Sequence, residues 1–206
     1  MVETSTALKA GIPVRRLPPH ERIVEVAREL FCRDGIHATG IDRILTQAGA
    51  SKMTLYGRFG SKEALVREVL GREGAEQRTA LLALIDAASP DPAARLHAVV
   101  PALRAWFEGG RFYGCAFMNA AAEHAKGPGM RDGWLREMTD QHHAALRGTL
   151  TELAQAAGCA EPGIVARQVL LIIDGAIAAL MVTGDVTVLD VTERNLRAVL
   201  RSVLPG

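Results

Sequence analysis

The sequence predicts an all-α protein of about nine or ten helices, in which a small helix-turn-helix head precedes a larger helical domain. Three observations lead there. Apolar residues recur every three or four positions almost throughout, and no run alternates with strand period. Gly and Pro clusters punctuate those segments at regular intervals. Short hydroxyl residues stand where helices in the head would begin. The 206 residues, 49% of them hydrophobic, suffice for one sizeable core and a small appended domain.

Residues 1–19 hold Thr, Ser, Gly and three prolines without an apolar period and read as a flexible tail. Its basic pair, Arg15 and Arg16, reads as a solvated arm or as a phosphate or minor-groove contact. The first helix follows from Ile23, Ala27, Leu30 and Phe31, with Gly35 beyond its end. Ile41, Ile44, Leu45 and Ala48 make a second short apolar face, closed by Gly49. Ser51 then caps a helix from Lys52 to Tyr56, and Ser61 caps the next. Two short helices joined by a tight Gly-containing turn are what a helix-turn-helix requires. Leu55, Phe59, Leu65 and Phe31 read as the core of this head, residues 20–71.

Residues 72–206 read as a second domain of six helices: Arg72 to Ala88, Ala93 to Phe107, Phe112 to Ala125, Arg131 to Ala157, Pro162 to Val182 and Thr192 to Val203. The breaks between them are Ser89-Pro90-Asp91-Pro92, Gly109-Gly110, Lys126-Gly127-Pro128-Gly129, Gly158 to Gly163 and Thr183 to Val191.

The segments RIVEVARELF, Gly35 to Thr39, AGASKMTLYGRF and SKEAL together resemble the N-terminal domain of the tetracycline-repressor (TetR) family, over about fifty residues without a gap. More loosely, GCAFMNAAAEHA, a long helix and Ile-Ile-Asp-Gly-Ala-Ile resemble the ligand-binding domain of one branch of that family. The resemblance implies a ligand-responsive transcriptional regulator, foremost a repressor. Such a protein binds a palindromic DNA operator as a homodimer and is released by a small apolar or amphipathic molecule. Release would follow a shift of the helix that starts at Ser61 and joins the domains.

Within the head, Lys52, Met53 and Thr54 lead the recognition helix, whose first residues face the major groove in this motif. Lys52 suits phosphate or guanine, Thr54 a base or phosphate, and Met53 offers only an apolar surface. The resemblance places Tyr56 at a phosphate-contacting position. Lys62 sits in the first turn of the following helix, whose free N–H groups favour an anion. Thr39 and Ser51 read as caps or as backbone contacts. The family usually has a bulky polar residue and then His or Tyr before the Phe, whereas Gly57 and Arg58 stand here. Gly57 is expected to end the helix early, and Arg58 to be a substitute phosphate contact or a solvated turn residue.

Six of the nine aromatics fall between Trp106 and Trp134. Trp106, Phe107, Phe112, Cys115, Phe117, Met118, Trp134 and Met138 suit an apolar pocket or plain core, and Asn119, Glu123 and His142 are candidates to orient a ligand. For the dimer, Val165, Val169, Ile172, Ala176 and Leu180 on one helix and Leu196, Val199 and Leu200 on the last are the expected interface, or ordinary core. Asp174, lodged in that apolar run, needs a partner.

Net charge is only +1, yet it is uneven: residues 1–71 hold 11 Lys and Arg against 8 Asp and Glu, net +3, and the remainder 13 against 15, net −2. The positive excess sits with the segment read as DNA-binding. Cys32, Cys115 and Cys159 have no metal-like spacing, and a reduced cytoplasmic protein is expected. Glu123, His124, His142 and His143 lack the i, i+4 histidine pair of a helical metal site, so no metal or cofactor is expected. Cys115 has no nearby resolving cysteine, and a small core residue is the simpler reading than a redox switch. The run Val169 to Val182 reads as too short for a membrane crossing. No Gly-x-Ser-x-Gly, phosphate loop or dinucleotide fingerprint points to an enzyme; a helical protein-binding adaptor is the other alternative.

Overall fold

The structure is a computed structural model and describes residues 16–109, 112–124 and 133–204. Arg15, most of the expected tail, Gly110, the loop Lys126-Gly127-Pro128-Gly129 and the expected helix start at Arg131 lie outside these residues. The described residues contain ten α-helices and no strand. In chain order they are α1 Pro19–Asp34, α2 Ile41–Ala48, α3 Lys52–Phe59, α4 Lys62–Ala88, α5 Pro92–His97, α6 Val99–Glu108, α7 Ala116–His124, α8 Trp134–Ala156, α9 Pro162–Thr183 and α10 Val188–Val203. They fall into two compact units. One comprises the residues up to Glu76 with the 116–138 segment, and the other 77–115 with the chain from Thr139 onward.

The first unit is built on α1, which opens with Pro at its first position, where the missing N–H has no helical partner to lose. Ile23, Ala27 and Leu30 are fully buried, together with Ile44, Leu55 and Leu65 from the next three helices. Two guanidiniums pin α1 to α4. Arg28 pairs with Glu73 and, at 3.0 Å, with Glu76, while Arg72 pairs with Glu21 and Glu68, each at 2.7 Å. That hydrogen bond from Arg72 holds the Glu21 carboxyl below its ordinary pKa.

The turn between α2 and α3 has two supports. Gly49 takes a left-handed conformation, φ 57° and ψ 45°, which costs a residue without Cβ nothing, and its N–H returns to Leu45 and Thr46 carbonyls. Arg22, from α1, donates to the Ala48 carbonyl at 2.7 Å and the Gly49 carbonyl at 2.9 Å. The orphan carbonyls at the end of α2 are thereby satisfied from a neighbouring helix. Ser51 then caps α3, accepting the Thr54 N–H at 3.1 Å.

Three sequence expectations change. Gly57 does not end α3, which continues to Phe59 and stops at Gly60. An interior glycine costs about 1 kcal/mol of helix propensity, less than burial of Leu55 and a proper C-terminal turn return. The border expected at residue 71 falls inside one continuous 27-residue helix, α4. The helix expected from Ala93 to Phe107 is two, because Pro101 has no N–H to offer the His97 carbonyl and its ring crowds that carbonyl.

In the second unit Leu96, Val99, Val165, Val169, Leu189, Leu196 and Leu200 are fully buried. α10 starts at Val188, inside the loop expected to reach Val191, because Asp185 accepts the Thr187 N–H and hydroxyl at 2.9 and 2.7 Å and starts the turn early. α9 runs unbroken for 22 residues through Asp174 and Gly175, and its most apolar stretch has a mean hydropathy of 1.9. By length and composition alone it can cross a bilayer, contrary to the sequence expectation. Its buried face, from Val165 to Leu180, instead packs in the core of this unit.

Candidate nucleic-acid interface and cavity

One face of α3 is turned outward. Met53 is 83% exposed and Tyr56 49% exposed, while Leu55 between them is fully buried. Helical period explains the split, since residue 55 points inward when 52, 53 and 56 point out. Lys52 lies on the same face, paired at 2.9 Å with Asp42 of α2, and both side chains stay largely in water. Asp42 raises the Lys52 pKa, first through that hydrogen bond and then through its charge. Arg58 is exposed, with its guanidinium 5.6 Å from the Phe59 ring centre. Ser51 and Thr54 face each other across 3.0 Å at the start of the helix. This patch of one ammonium, one guanidinium, one phenol and one thioether, next to a helix N-terminus, can meet phosphates and base edges together.

Thr39 and Lys62 are placed differently. Thr39 is fully buried and donates its hydroxyl proton to the Gly35 carbonyl at 2.7 Å, so the side chain holds a turn and is not available to a surface ligand. Lys62 donates to the Ile36 carbonyl at 2.7 Å, and burial lowers its pKa. Both residues fasten the 35–39 turn. Glu123, expected in a ligand pocket, fastens the same turn from α7. Its carboxylate accepts the Ile36 and His37 N–H groups at 3.0 and 2.9 Å. Gly35, at φ 92°, lies against that carboxylate, and a Cβ there would stand 3.1 Å from it. The His37 and His124 rings stack at 4.4 Å beside it.

The second unit contains a narrow cavity of about 30 Å³. Of the residues expected to line a pocket, Trp106, Cys115 and His142 do so, and Phe112 packs edge-on against Trp106 at 5.0 Å and Phe107 at 5.1 Å. Phe117, Met118, Asn119, Glu123, Trp134 and Met138 belong to the first unit. There Trp134 lies under the Arg67 guanidinium, 4.7 Å from the ring centre, and Phe117 is core. Concentration in sequence was a poor guide because the 116–138 segment returns to the head.

The rest of the lining comes from α4, α8 and α9: Gln77, Arg78, Leu81, Leu146, Ile173, Asp174 and Ile177. Only Asp174 carries a sequence signal, a charge inside an apolar run. Its partner is His143, at 3.7 Å, and burial raises the Asp174 pKa despite that neighbour. The His143 Nε2 is buried with no hydrogen bond. Burial, then the charges of His143 and Arg78, lower the His142 pKa to about 4, so this imidazole is neutral near pH 7. The Cys115 Sγ lies 4.0 Å from its Nε2.

The expected dimer residues Val165, Val169, Ala176, Leu180, Leu196 and Leu200 are buried within the single chain, and Ile172 and Val199 are half-buried. A different stripe faces out on α9: Ile164, Gln168, Leu171, Gly175 and Val182, with half-buried Ala178 in the same register and Leu171 73% and Val182 86% exposed. Val191 and Ala198 are exposed on α10. The most apolar residues were chosen from sequence, and these are the ones the chain's own core claims.

Known proteins agree with this architecture. The sequence model of the bacterial regulatory proteins, tetR family, matches residues 23–69. The HTH-type transcriptional activator FasR of Mycolicibacterium smegmatis is 45% identical over 60 residues, 28% of this chain and 27% of that protein. The HTH-type transcriptional regulator UidR of Escherichia coli is 38% identical over 53 residues, 26% of this chain and 27% of its own. The likeness thus spans about a quarter of these curated relatives. Among solved structures, a TetR-family transcriptional regulator from Streptomyces coelicolor matches with a TM-score of 0.80 and 28% identity, over 90% of this chain and 95% of that one. Reduced NemR of Escherichia coli, at 18% identity, shares the fold with a TM-score of 0.78, over 92% and 100% of the two chains. With a head that meets the tetR family's sequence model over residues 23–69 and a fold shared over nine-tenths of its length with a TetR-family regulator, the chain resembles the TetR family of bacterial transcriptional regulators.

Proposed function

We propose that this chain regulates transcription in the cytoplasm by binding a palindromic DNA operator as a homodimer, and that an effector in the cavity of the second unit alters that binding. The outward face of α3 carries the reading: Met53 and Tyr56 are large side chains left in water beside Lys52 and Arg58, above a fully buried Leu55. Arg58 and Tyr56 suit phosphates, Met53 a thymine methyl, and Ser51 and Thr54 the backbone at the helix start. Lys52 can reach a phosphate by leaving Asp42.

One recognition helix covers too few base pairs for useful specificity, and two-fold pairs read half-sites about 34 Å apart. The stripe from Ile164 to Val182, with Val191 and Ala198, supports a second copy of the chain as the partner, since its small residues allow close helix packing. Repression with release by effector is the simplest action, and the effector must favour a form whose heads misfit the operator. A coupling of about 1–3 kcal/mol weakens DNA binding roughly 5- to 150-fold. The sign has a second reading, activation, because FasR, 45% identical over 60 residues, is named an activator.

The test is binding of the full chain to the DNA upstream of its own coding sequence at several salt concentrations. Tight binding relative to random DNA with a steep salt slope supports the proposal. Equal affinity for both DNAs at every salt concentration contradicts operator binding there and favours the protein-binding adaptor.

A further inference from the structure

Arg78 is the one lining residue of the second unit's cavity that brings a fixed positive charge, and among the described residues it has no carboxylate within ion-pair distance. The only acid in the lining, Asp174, is engaged with His143 at 3.7 Å. His142 is neutral near pH 7 and adds no charge. Around these groups Leu81, Trp106, Leu146, Ile173 and Ile177 present apolar surface. A half-buried guanidinium beside such surface is well matched by a planar bidentate acceptor.

Resting on the proposed reading of this cavity as the effector site, we propose that it takes a slender apolar carboxylate, with the anion on Arg78 and the hydrocarbon along Leu81, Ile173 and Ile177. A cavity this narrow admits a slender alkyl chain more readily than a bulky polycyclic body. A neutral alcohol of the same length gains the apolar contacts without the ion pair. An alkyl ammonium additionally faces like charge at Arg78. The ranking carboxylate, alcohol, amine is therefore a property of this lining.

The test uses the full chain carrying Trp134→Phe, so that Trp106 alone reports, titrated with octanoate, octanol and octylamine. Octanoate is expected to change Trp106 emission saturably, at least about tenfold tighter than octanol, with octylamine weakest. Arg78→Gln should bring octanoate down to the affinity of octanol and leave octanol unchanged, while Arg78→Lys keeps part of the difference. Ile177→Phe, which fills the cavity, should weaken octanoate and octanol alike. Equal or tighter binding of octanol or octylamine, or octanoate binding that survives Arg78→Gln, overturns the anion assignment while leaving the cavity as a site. Octanoate binding untouched by Ile177→Phe, or no saturable response to any probe, overturns both the anion and the cavity.

Discussion

Asp42 and Lys52 illustrate how one residue tunes a surface. Their 2.9 Å pair is exposed, and the acid stands on the face proposed to meet DNA. It competes with phosphate for Lys52 and repels the duplex itself. Asp42→Asn should tighten DNA binding about three- to tenfold at low salt, with the gain shrinking as salt rises. A gel-shift series across salt concentrations checks this, and unchanged affinity would place Asp42 outside the duplex's reach. His142 gives a prediction about acid. Its folded pKa, about 4, lies below the ordinary 6.5, so the unfolded chain binds the extra proton between those values. This residue leaves stability unaffected above pH 6.5 and lowers it as pH falls from 6.5 toward 4, by about 3 kcal/mol at most. His142→Gln should flatten the denaturation midpoint over that window, and a slope equal to wild type would assign the acid loss to other groups.

Among the elements, α3 was legible in sequence through Ser51, Leu55 and the Gly49 turn, because capping and local period are set within a few residues. Its end was not, because packing of Leu55 and the turn at Gly60 outweigh the propensity of Gly57. Open space surrounds the point where a Gly57 Cβ would stand, so Gly57→Ala should stabilise the head by about 0.5–1 kcal/mol, read from thermal or urea unfolding. A loss of stability would mean that the helix requires glycine there. The supports supplied by Arg22, Lys62 and Glu123 were invisible to pattern reading: each spans 26 or more positions to a backbone group, and neither periodicity nor spacing marks such a partner. The outward face of α9 was not legible for a related reason. Apolar residues occupy most of its circumference, so composition alone does not distinguish the face kept by the core from the face left over.

On the scale of the whole molecule, the family resemblance followed from contiguous motifs in the head, whereas the return of the 116–138 segment to the first unit is a long-range pairing that no local signal announces. α4 runs through the division between the units, supplying Leu65 to the core of the head and Arg78 and Leu81 to the cavity. The left-over face of α9 yields a further expectation: Leu171→Glu should shift the protein from dimer to monomer in sedimentation while keeping its helical content, since a charge at the centre of an apolar interface is left unpaired. A variant that sediments as wild type would remove this face from the dimer.

The outward face of α3 is tested most directly by the affinity of Lys52→Ala and Tyr56→Ala for the upstream DNA, measured beside random DNA with fold and dimer verified. The account predicts at least about fivefold weaker operator binding for each and a salt slope reduced by about one for Lys52→Ala. Wild-type affinity and slope in both variants would contradict it.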